Sequence, residues 1–411
     1  MPISVKLSAF LARTPVPTRV ACFVFFAASV ADAALIPFFA VWALKVAHVP
    51  LPWIGVLLGC YAGGELLVTP LLGGIADRVG RRPVLLVSTA GVGAGFVLMI
   101  FADGPVMAAV CLIAIGVFEC MLHPTAATVI GDVTPPERLT GSYALLRFAA
   151  NVGNMIGPAL GALFALASLR YVFVGAGLSL LLATLAVAIF LPETKPSRTS
   201  DKSNDDEDEE SLTALTAIFR DARLAALLLP LSLIGIASSW IESVGPLYAN
   251  ISGSLSETGI GLLFTYFGAL GVLLQLPLSR WAQRYAAHVV ILIVAAVQTI
   301  AFVFLLPHPS IVLMVAAVTA LALSRVFLGP LMHTLAIEMA PLHGRATYQA
   351  AFSVASDLRD TAGPALGTWL FAAAPMLPWL IAVPATLLAG AILAAVVRRH
   401  QRTSKPSGVA P

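Results

Sequence analysis

Long apolar stretches alternate with short polar breaks along the whole chain. Each stretch has about 20 residues, which is the length an α-helix needs to cross about 30 Å of hydrocarbon. We therefore predict an all-α polytopic membrane protein embedded in a lipid bilayer. Its twelve transmembrane helices are predicted at about residues 18–45, 53–75, 83–102, 105–130, 141–166, 170–191, 224–250, 257–278, 289–306, 310–335, 347–373 and 376–398.

The composition supports this class and excludes others. Hydrophobic residues make up 59% of the chain and charged residues only 11%, far from the balance of a soluble domain. No phosphate-binding glycine loop, hydrolytic triad or metal-ligand spacing is present in the sequence. We expect no enzyme activity, no cofactor, no metal site and no nucleic-acid partner. The cysteines all lie in apolar stretches, where they are expected to pack and not to form disulfides: Cys22, Cys60, Cys111 and Cys120.

Basic residues fall on one side of the predicted membrane. With both termini inside, the outer loops hold only Lys45 and Arg170, and nearly all other loop lysines and arginines are inside. The positive-inside rule therefore predicts that both termini are cytoplasmic. The basic N-terminus and first apolar stretch are interpreted as an uncleaved span and not as a secretion signal.

One long polar break divides the chain. Residues 192–223 contain an acidic run, Asp205–Glu210, and few apolar residues, which predicts a solvated linker. The run is alternatively a regulatory or interaction patch. The predicted domains are thus an N-terminal six-helix bundle at 1–191, the acidic linker at 192–223, and a C-terminal six-helix bundle with a cytoplasmic tail at 224–411.

An internal repeat relates the two bundles. A shift of 206 residues superposes Gly157-Pro158-Ala159-Leu160-Gly161 on Gly363-Pro364-Ala365-Leu366-Gly367, and it also superposes Pro124 on Pro330. Two six-helix repeats in the same orientation are implied, related by an axis along the membrane normal. In this layout a substrate site lies between the two halves. Rocking of one half against the other opens the site to each side of the membrane in turn.

A charged turn between the second and third spans carries a family signature. It reads Gly73-x-x-x-Asp77-Arg78-x-Gly80-Arg81-Arg82. With the repeat, it resembles the major facilitator superfamily over essentially the whole chain. The resemblance implies the major facilitator fold, secondary active transport of a small molecule, and a cytoplasmic latch formed by Gly73, Asp77, Arg78, Gly80, Arg81 and Arg82. The second-half turn, Ser279–Arg284, has lost the acid and both glycines.

A second signature lies on the fifth span. Gly153-x-x-x-Gly157-Pro158-x-x-Gly161 resembles the antiporter motif of the proton-coupled drug exporters of this superfamily. The alternative is a packing face, because small residues at four-residue spacing let helices approach closely. Many such antiporters also carry an arginine early in the fourth span. This chain has none there, and Arg325 lies in the second-half counterpart of that span.

Ionisable residues inside the spans are candidate sites, because an isolated charge in hydrocarbon costs several kcal/mol. The candidates for proton coupling are Asp32, Glu65, Glu119 and His123. The candidates for lining a substrate cavity are Asp32, Glu119, Glu242, Arg325 and Asp357. For each of them the alternative is a structural ion pair or hydrogen bond.

The favoured function is a proton-coupled antiporter that exports small apolar or amphipathic compounds, including drugs, by alternating access. A transporter of a specific metabolite, such as a sugar, amino acid or organic anion, is the alternative, motivated by Arg325. A non-transporting receptor or scaffold that uses the acidic run is more remote. We expect a monomer in the plasma membrane, the inner membrane of a bacterium, with protons as the coupling ion.

Overall fold

Each predicted span forms a helix, or two consecutive helices, in the computed structural model, which describes residues 14–72, 75–194, 222–282, 284–339 and 345–403. The helices of the first half are α1 Val16–Lys45, α2 Leu51–Leu72, α3 Ile75–Val79, α4 Arg81–Leu98, α5 Pro105–Glu119, α6 Leu122–Val133, α7 Pro136–Ala165 and α8 Leu169–Phe190. Those of the second half are α9 Ala222–Ser243, α10 Gly245–Ile251, α11 Glu257–Ala282, α12 Ala287–Val303, α13 Ile311–Met339, α14 Arg345–Ala373 and α15 Leu377–Thr403. The acidic run Asp205–Glu210 lies outside the described residues.

Nine segments of the described part of the chain are long and apolar enough to cross a membrane. α12 is apolar but shorter, and α2 and α14 are not among the nine. The all-helical membrane fold is therefore confirmed. The count of twelve spans stays a prediction, although a helix stands at each of the predicted positions.

Prolines decide where several helices begin and break. α7 begins at Pro136, a position that suits proline because the first amide of a helix has no partner. The charged residues that follow it are therefore helical, and the helix starts five residues before the predicted span at 141. Pro124 lacks the amide that would bond to the carbonyl of Cys120, and the predicted fourth span is divided at Cys120 and Met121 into α5 and α6.

The packing of helices repeats in the two halves. α1 packs against α7 and α8, and α4 packs against α8. In the second half α9 packs against α14 and α15, and α12 packs against α15. These are the same pairs of helices after the shift of 206 residues. The repeat seen in the sequence is thus a repeat of tertiary structure.

The glycine signature of α7 makes the close contact with α1. A Cβ atom at Gly157 would clash with the carbonyl of Val30 and with Ala33. At Gly363 of α14 it would clash with Ser239 and approach the carbonyl of Ile236. The shift of 206 residues superposes Val30 on Ile236. The two motifs therefore hold equivalent pairs of helices, α1 with α7 and α9 with α14, in close contact. This packing role is shown by the structure, whereas a role of the motif in antiport stays a prediction.

The described residues form two compact units. The first takes the described parts of Met1–Val49, Cys60–Asp205 and Glu257–Gly268, and the second takes those of Pro50–Gly59, Asp206–Ser256 and Ala269–Pro411. The first turns of α2 thus group with the second unit, and those of α11 with the first. The predicted domains 1–191, 192–223 and 224–411 remain a prediction about the sequence halves.

Candidate functional site

Three helices of the first unit bring two carboxyl groups to one tyrosine. The hydroxyl of Tyr61 on α2 donates to Oε2 of Glu119, 2.8 Å away at the end of α5. It also lies 3.2 Å from Oδ1 of Asp32 in the middle of α1. Glu119 is nearly inaccessible, with 3% of its side chain exposed. A polar site therefore lies inside an otherwise apolar bundle.

A histidine completes this cluster, which we define as Asp32, Tyr61, Glu119 and His123. Nε2 of His123 lies 3.6 Å from Oε1 of Glu119. The two residues lie on either side of the helix break caused by Pro124. The His123 ring also meets the edge of Phe25, with the ring centroids 4.8 Å apart.

The cluster is compact, and part of it is exposed. One donor or acceptor atom from each of Asp32, Glu119 and His123 lies within 4.8 Å of the others. Asp32 is half-buried, and 33% of the His123 side chain is exposed. The arrangement can bind a proton or a cationic group in the bundle, and His123 connects it to the accessible surface. These groups are also donors that a divalent cation accepts, so the expected absence of a metal stays a prediction.

Sequence reasoning selected three of the four members and missed Tyr61. Its hydroxyl is a polar group in an apolar span, four residues before Glu65 and therefore on the same face of α2. That four-residue spacing from Glu65 could have identified Tyr61 in the sequence. Glu65 itself is half-buried and close enough to interact electrostatically with Glu119.

In the second unit, two of the predicted cavity residues form an ion pair with each other, and a second pair lies on α14. Nη2 of Arg325 on α13 lies 2.8 Å from Oε1 of Glu242 on α9. Arg359 on α14 pairs with its neighbour Asp360 at 2.7 Å. Asp357 belongs to α14, but its side chain lies outside what the structure describes. Arg325 and Glu242 were predicted separately, and the structure places them together.

The turn that carries the family signature is held by two acids that the sequence analysis did not select. Nε of Arg81 donates to Oδ2 of Asp132 on α6 at 2.9 Å. The carboxylate of Glu193 accepts hydrogen bonds from the backbone amides of Arg81 at 2.9 Å and Arg82 at 3.3 Å. It thereby caps the N-terminus of α4, where a negative charge is favourable.

Gly80 has the conformation that the turn requires. Its φ of 116° lies in the left-handed region, and a Cβ atom there would approach the Glu193 carboxylate. Arg78 is exposed. Gly73 and the side chain of Asp77 lie outside the described residues, so the contacts of the predicted latch acid are a prediction.

The major facilitator superfamily model matches residues 21–255 and 243–411. The tetracycline resistance protein, class H, of Pasteurella multocida is 26% identical over 240 residues, which are 58% of this chain and 60% of that protein. The multidrug resistance protein MdtH of Klebsiella pneumoniae is 24% identical over 341 residues, which are 80% of this chain and 82% of that protein.

Solved structures share the fold at low sequence identity. The nucleoside transporter NupG has a TM-score of 0.74 at 11% identity, over 95% of this chain and 99% of that one. The peptide transporter POT in complex with sulfate has a TM-score of 0.73 at 15% identity, over 95% and 96%. With the family model covering nearly all of its length, the chain belongs to the major facilitator superfamily and is a multi-pass membrane protein.

Proposed function

We propose that this protein is a proton-coupled antiporter that exports small apolar or amphipathic molecules by alternating access. The observation that carries the proposal is the Asp32–Tyr61–Glu119–His123 cluster within the apolar helices. Ionisable groups in hydrocarbon are costly and are typical of proton and substrate pathways. A purely structural role would need one hydrogen-bonded pair, whereas the cluster gathers four polar side chains.

The chemistry of the cluster suits competition between a proton and a substrate. Two carboxyl groups beside an imidazole can take up and release a proton, and either carboxylate can face a cationic group of a substrate. Phe25 adds an aromatic surface next to His123. Proton uptake would then release the substrate, which is the coupling that an antiporter needs.

The relatives support export as the direction of transport. The tetracycline resistance protein and the multidrug resistance protein MdtH are both named for drug resistance. They match at 26% and 24% identity, so the substrate of this chain is part of the proposal. We further propose a monomer in a bacterial inner membrane, with both termini cytoplasmic and the Gly73–Arg82 turn acting as a latch.

A transporter of a specific anionic metabolite is the second candidate. Its motivation was Arg325, because a guanidinium suits a carboxylate. Glu242 lies 2.8 Å from that guanidinium and neutralises its charge. The ion pair therefore favours the antiporter over the anion carrier.

Transport in liposomes tests the proposal. The purified chain is reconstituted with a pH-sensitive dye inside, and tetracycline and ethidium serve as probes. We expect probe movement to be accompanied by proton movement in the opposite direction. Glu119→Gln should lower gradient-driven transport on the order of a hundredfold, the lower end of general acid–base contributions.

A matched carboxylate outside the cluster provides the control. Glu137 is exposed in the first turn of α7, and Glu137→Gln should transport normally. Probe transport without any proton movement in the wild type would refute antiport. Full gradient-driven activity of Glu119→Gln would remove Glu119 from the coupling site.

A further inference from the structure

Tyr61 connects the two carboxyl groups, and it has one proton for two acceptors. Its hydroxyl oxygen lies 2.8 Å from Glu119 Oε2 and 3.2 Å from Asp32 Oδ1. If both carboxyl groups are ionised, the phenol can donate fully to only one of them. The other then faces the phenol oxygen with lone pairs against lone pairs, which is unfavourable in a buried site.

The two carboxyl groups also hydrogen-bond to each other. One additional proton on the pair satisfies the contact between them, and the phenol donates to the ionised carboxyl. The reverse arrangement, with the proton on the other acid, satisfies the same contacts. The three groups therefore have two equivalent hydrogen-bonded states that differ only in which acid holds the proton.

The surroundings give the two states different neighbours. Asp32 comes from α1, whereas Glu119 has His123 at 3.6 Å across the helix break. Glu65 lies one turn from Tyr61 on the same helix, and its charge acts on both Tyr61 and Glu119. An oxygen of each acid lies within 4.8 Å of a ring nitrogen of the half-exposed His123, and the distance from Glu119 is 3.6 Å.

We propose that Tyr61 is a positioning residue that holds Asp32 and Glu119 in register for proton transfer between them, an inference that rests on the proposed antiport. In the transfer, the O–H bond of the Asp32 acid breaks as its proton moves to Glu119 across the hydrogen bond between the two carboxyl groups. The phenol keeps its own proton and changes only the carboxylate to which it donates. Asp32 becomes a carboxylate, and Glu119 becomes the acid.

The repeat identifies the least disruptive variant. Shifting by 206 residues places Tyr61 on Phe267, Asp32 on Ser238 and Glu119 on Arg325. The second half thus has an aromatic ring without a hydroxyl at the position equivalent under the shift. Tyr61→Phe should therefore fold, and it removes only the hydroxyl group.

The test separates gradient-driven transport from substrate exchange in the liposomes described above, with tetracycline and ethidium as probes and a chelator in every buffer. Exchange at equal pH on both sides needs substrate binding and alternating access but no net proton transfer. We expect Tyr61→Phe to lower gradient-driven transport on the order of tenfold, as loss of one hydrogen bond to a charged group would do. The loss of exchange should be smaller than the loss of gradient-driven transport, and the slowing of gradient-driven transport in heavy water should increase.

Two further variants sharpen the result. Tyr143→Phe removes an exposed hydroxyl that donates to the carbonyl of Ala127, one helical turn beyond His123, and not to a carboxyl group of the cluster; it should leave both rates unchanged. Tyr61→Phe in a Glu119→Gln background should cause no further loss, because Tyr61 acts through Glu119.

Several outcomes would overturn the inference. An unchanged gradient-driven rate in Tyr61→Phe would do so, as would equal losses of exchange and gradient-driven transport, which indicate a structural role. Additive losses in the double variant would also contradict it. A wild type that moves its probes without protons would refute both this inference and the proposed antiport.

Discussion

Asp132→Leu should destabilise the folded protein, because it removes the carboxylate that pairs with Arg81. Arg81 is buried, and Asp132 is an exposed residue whose carboxyl group is shielded by the pair: 7% of the Arg81 side chain and 15% of the Asp132 side chain are exposed, and the N–O distance is 2.9 Å. Removing one partner from a buried pair costs about 3–5 kcal/mol. The partial exposure of Asp132 and the remaining bond from Arg81 Nη1 to the carbonyl of Ala76 lower the expected cost to about 2 kcal/mol.

A double-mutant cycle measures this coupling. Unfolding of the purified protein in mixed detergent and SDS is followed by fluorescence for wild type, Asp132→Leu, Arg81→Met and the double variant. We expect the double variant to be more stable than Asp132→Leu by about 1 kcal/mol, because it no longer leaves a guanidinium opposite an apolar side chain.

An exposed ion pair supplies the control for that cycle. Arg170 pairs with Asp103 at the surface of the same half. Asp103→Leu should cost less than about 1 kcal/mol, as is usual for exposed pairs. If Asp132→Leu costs no more than Asp103→Leu, or if the double variant is additive, the argument that burial makes the Arg81 pair important is wrong.

Three other variants test the latch, the helix contact and a surface pair. Asp77→Asn should slow transport on the order of tenfold at normal expression if the turn acts as a latch, since the charge that a latch acid would supply to a hydrogen bond is lost; full transport would show that the turn is an orientation signal only. Gly157→Leu should abolish folding, assayed by size-exclusion chromatography, because a side chain there clashes with the backbone of α1. Gly271→Leu, at a position with no atom within 4 Å of a Cβ, should fold, and equal yields of the two would contradict the close-packing argument. Lys45→Gln removes an exposed pair with Glu257 and should change the free energy of unfolding by less than about 1 kcal/mol; a loss above about 2 kcal/mol would contradict this.

The sequence predicted the position of each long helix that the structure describes, because hydrocarbon imposes one strong requirement on each span. It was less informative where local chemistry competes with hydropathy. Pro136 extends α7 into charged residues that a hydropathy window assigns to a loop. Pro124 divides the fourth span because it lacks a backbone N–H group, and an average of hydropathy over a sequence window does not detect this.

The site was partly predictable for a related reason. Asp32 and Glu119 stood out because a charge in an apolar span is costly. Tyr61 carries no formal charge, so the same reasoning passed over it although it bonds to both acids. Glu193 was missed because it is an exposed acid in a polar segment, and only the fold shows that its carboxylate caps α4.

The repeat explains why the polar clusters of the two halves differ in chemistry. Glu119 and Arg325 occupy equivalent positions under the shift of 206 residues, in helices with the same neighbours. Glycine contacts hold the helix pairs α1–α7 and α9–α14 at close approach in the two halves, whereas the side chains at this polar position differ. In the second half the arginine meets Glu242 and the charges cancel. In the first half, Glu119 contacts the phenol of Tyr61, which also contacts Asp32. The same position in one fold therefore gives an ion pair in one half and, in the other, the acid that we propose as the proton-coupling site.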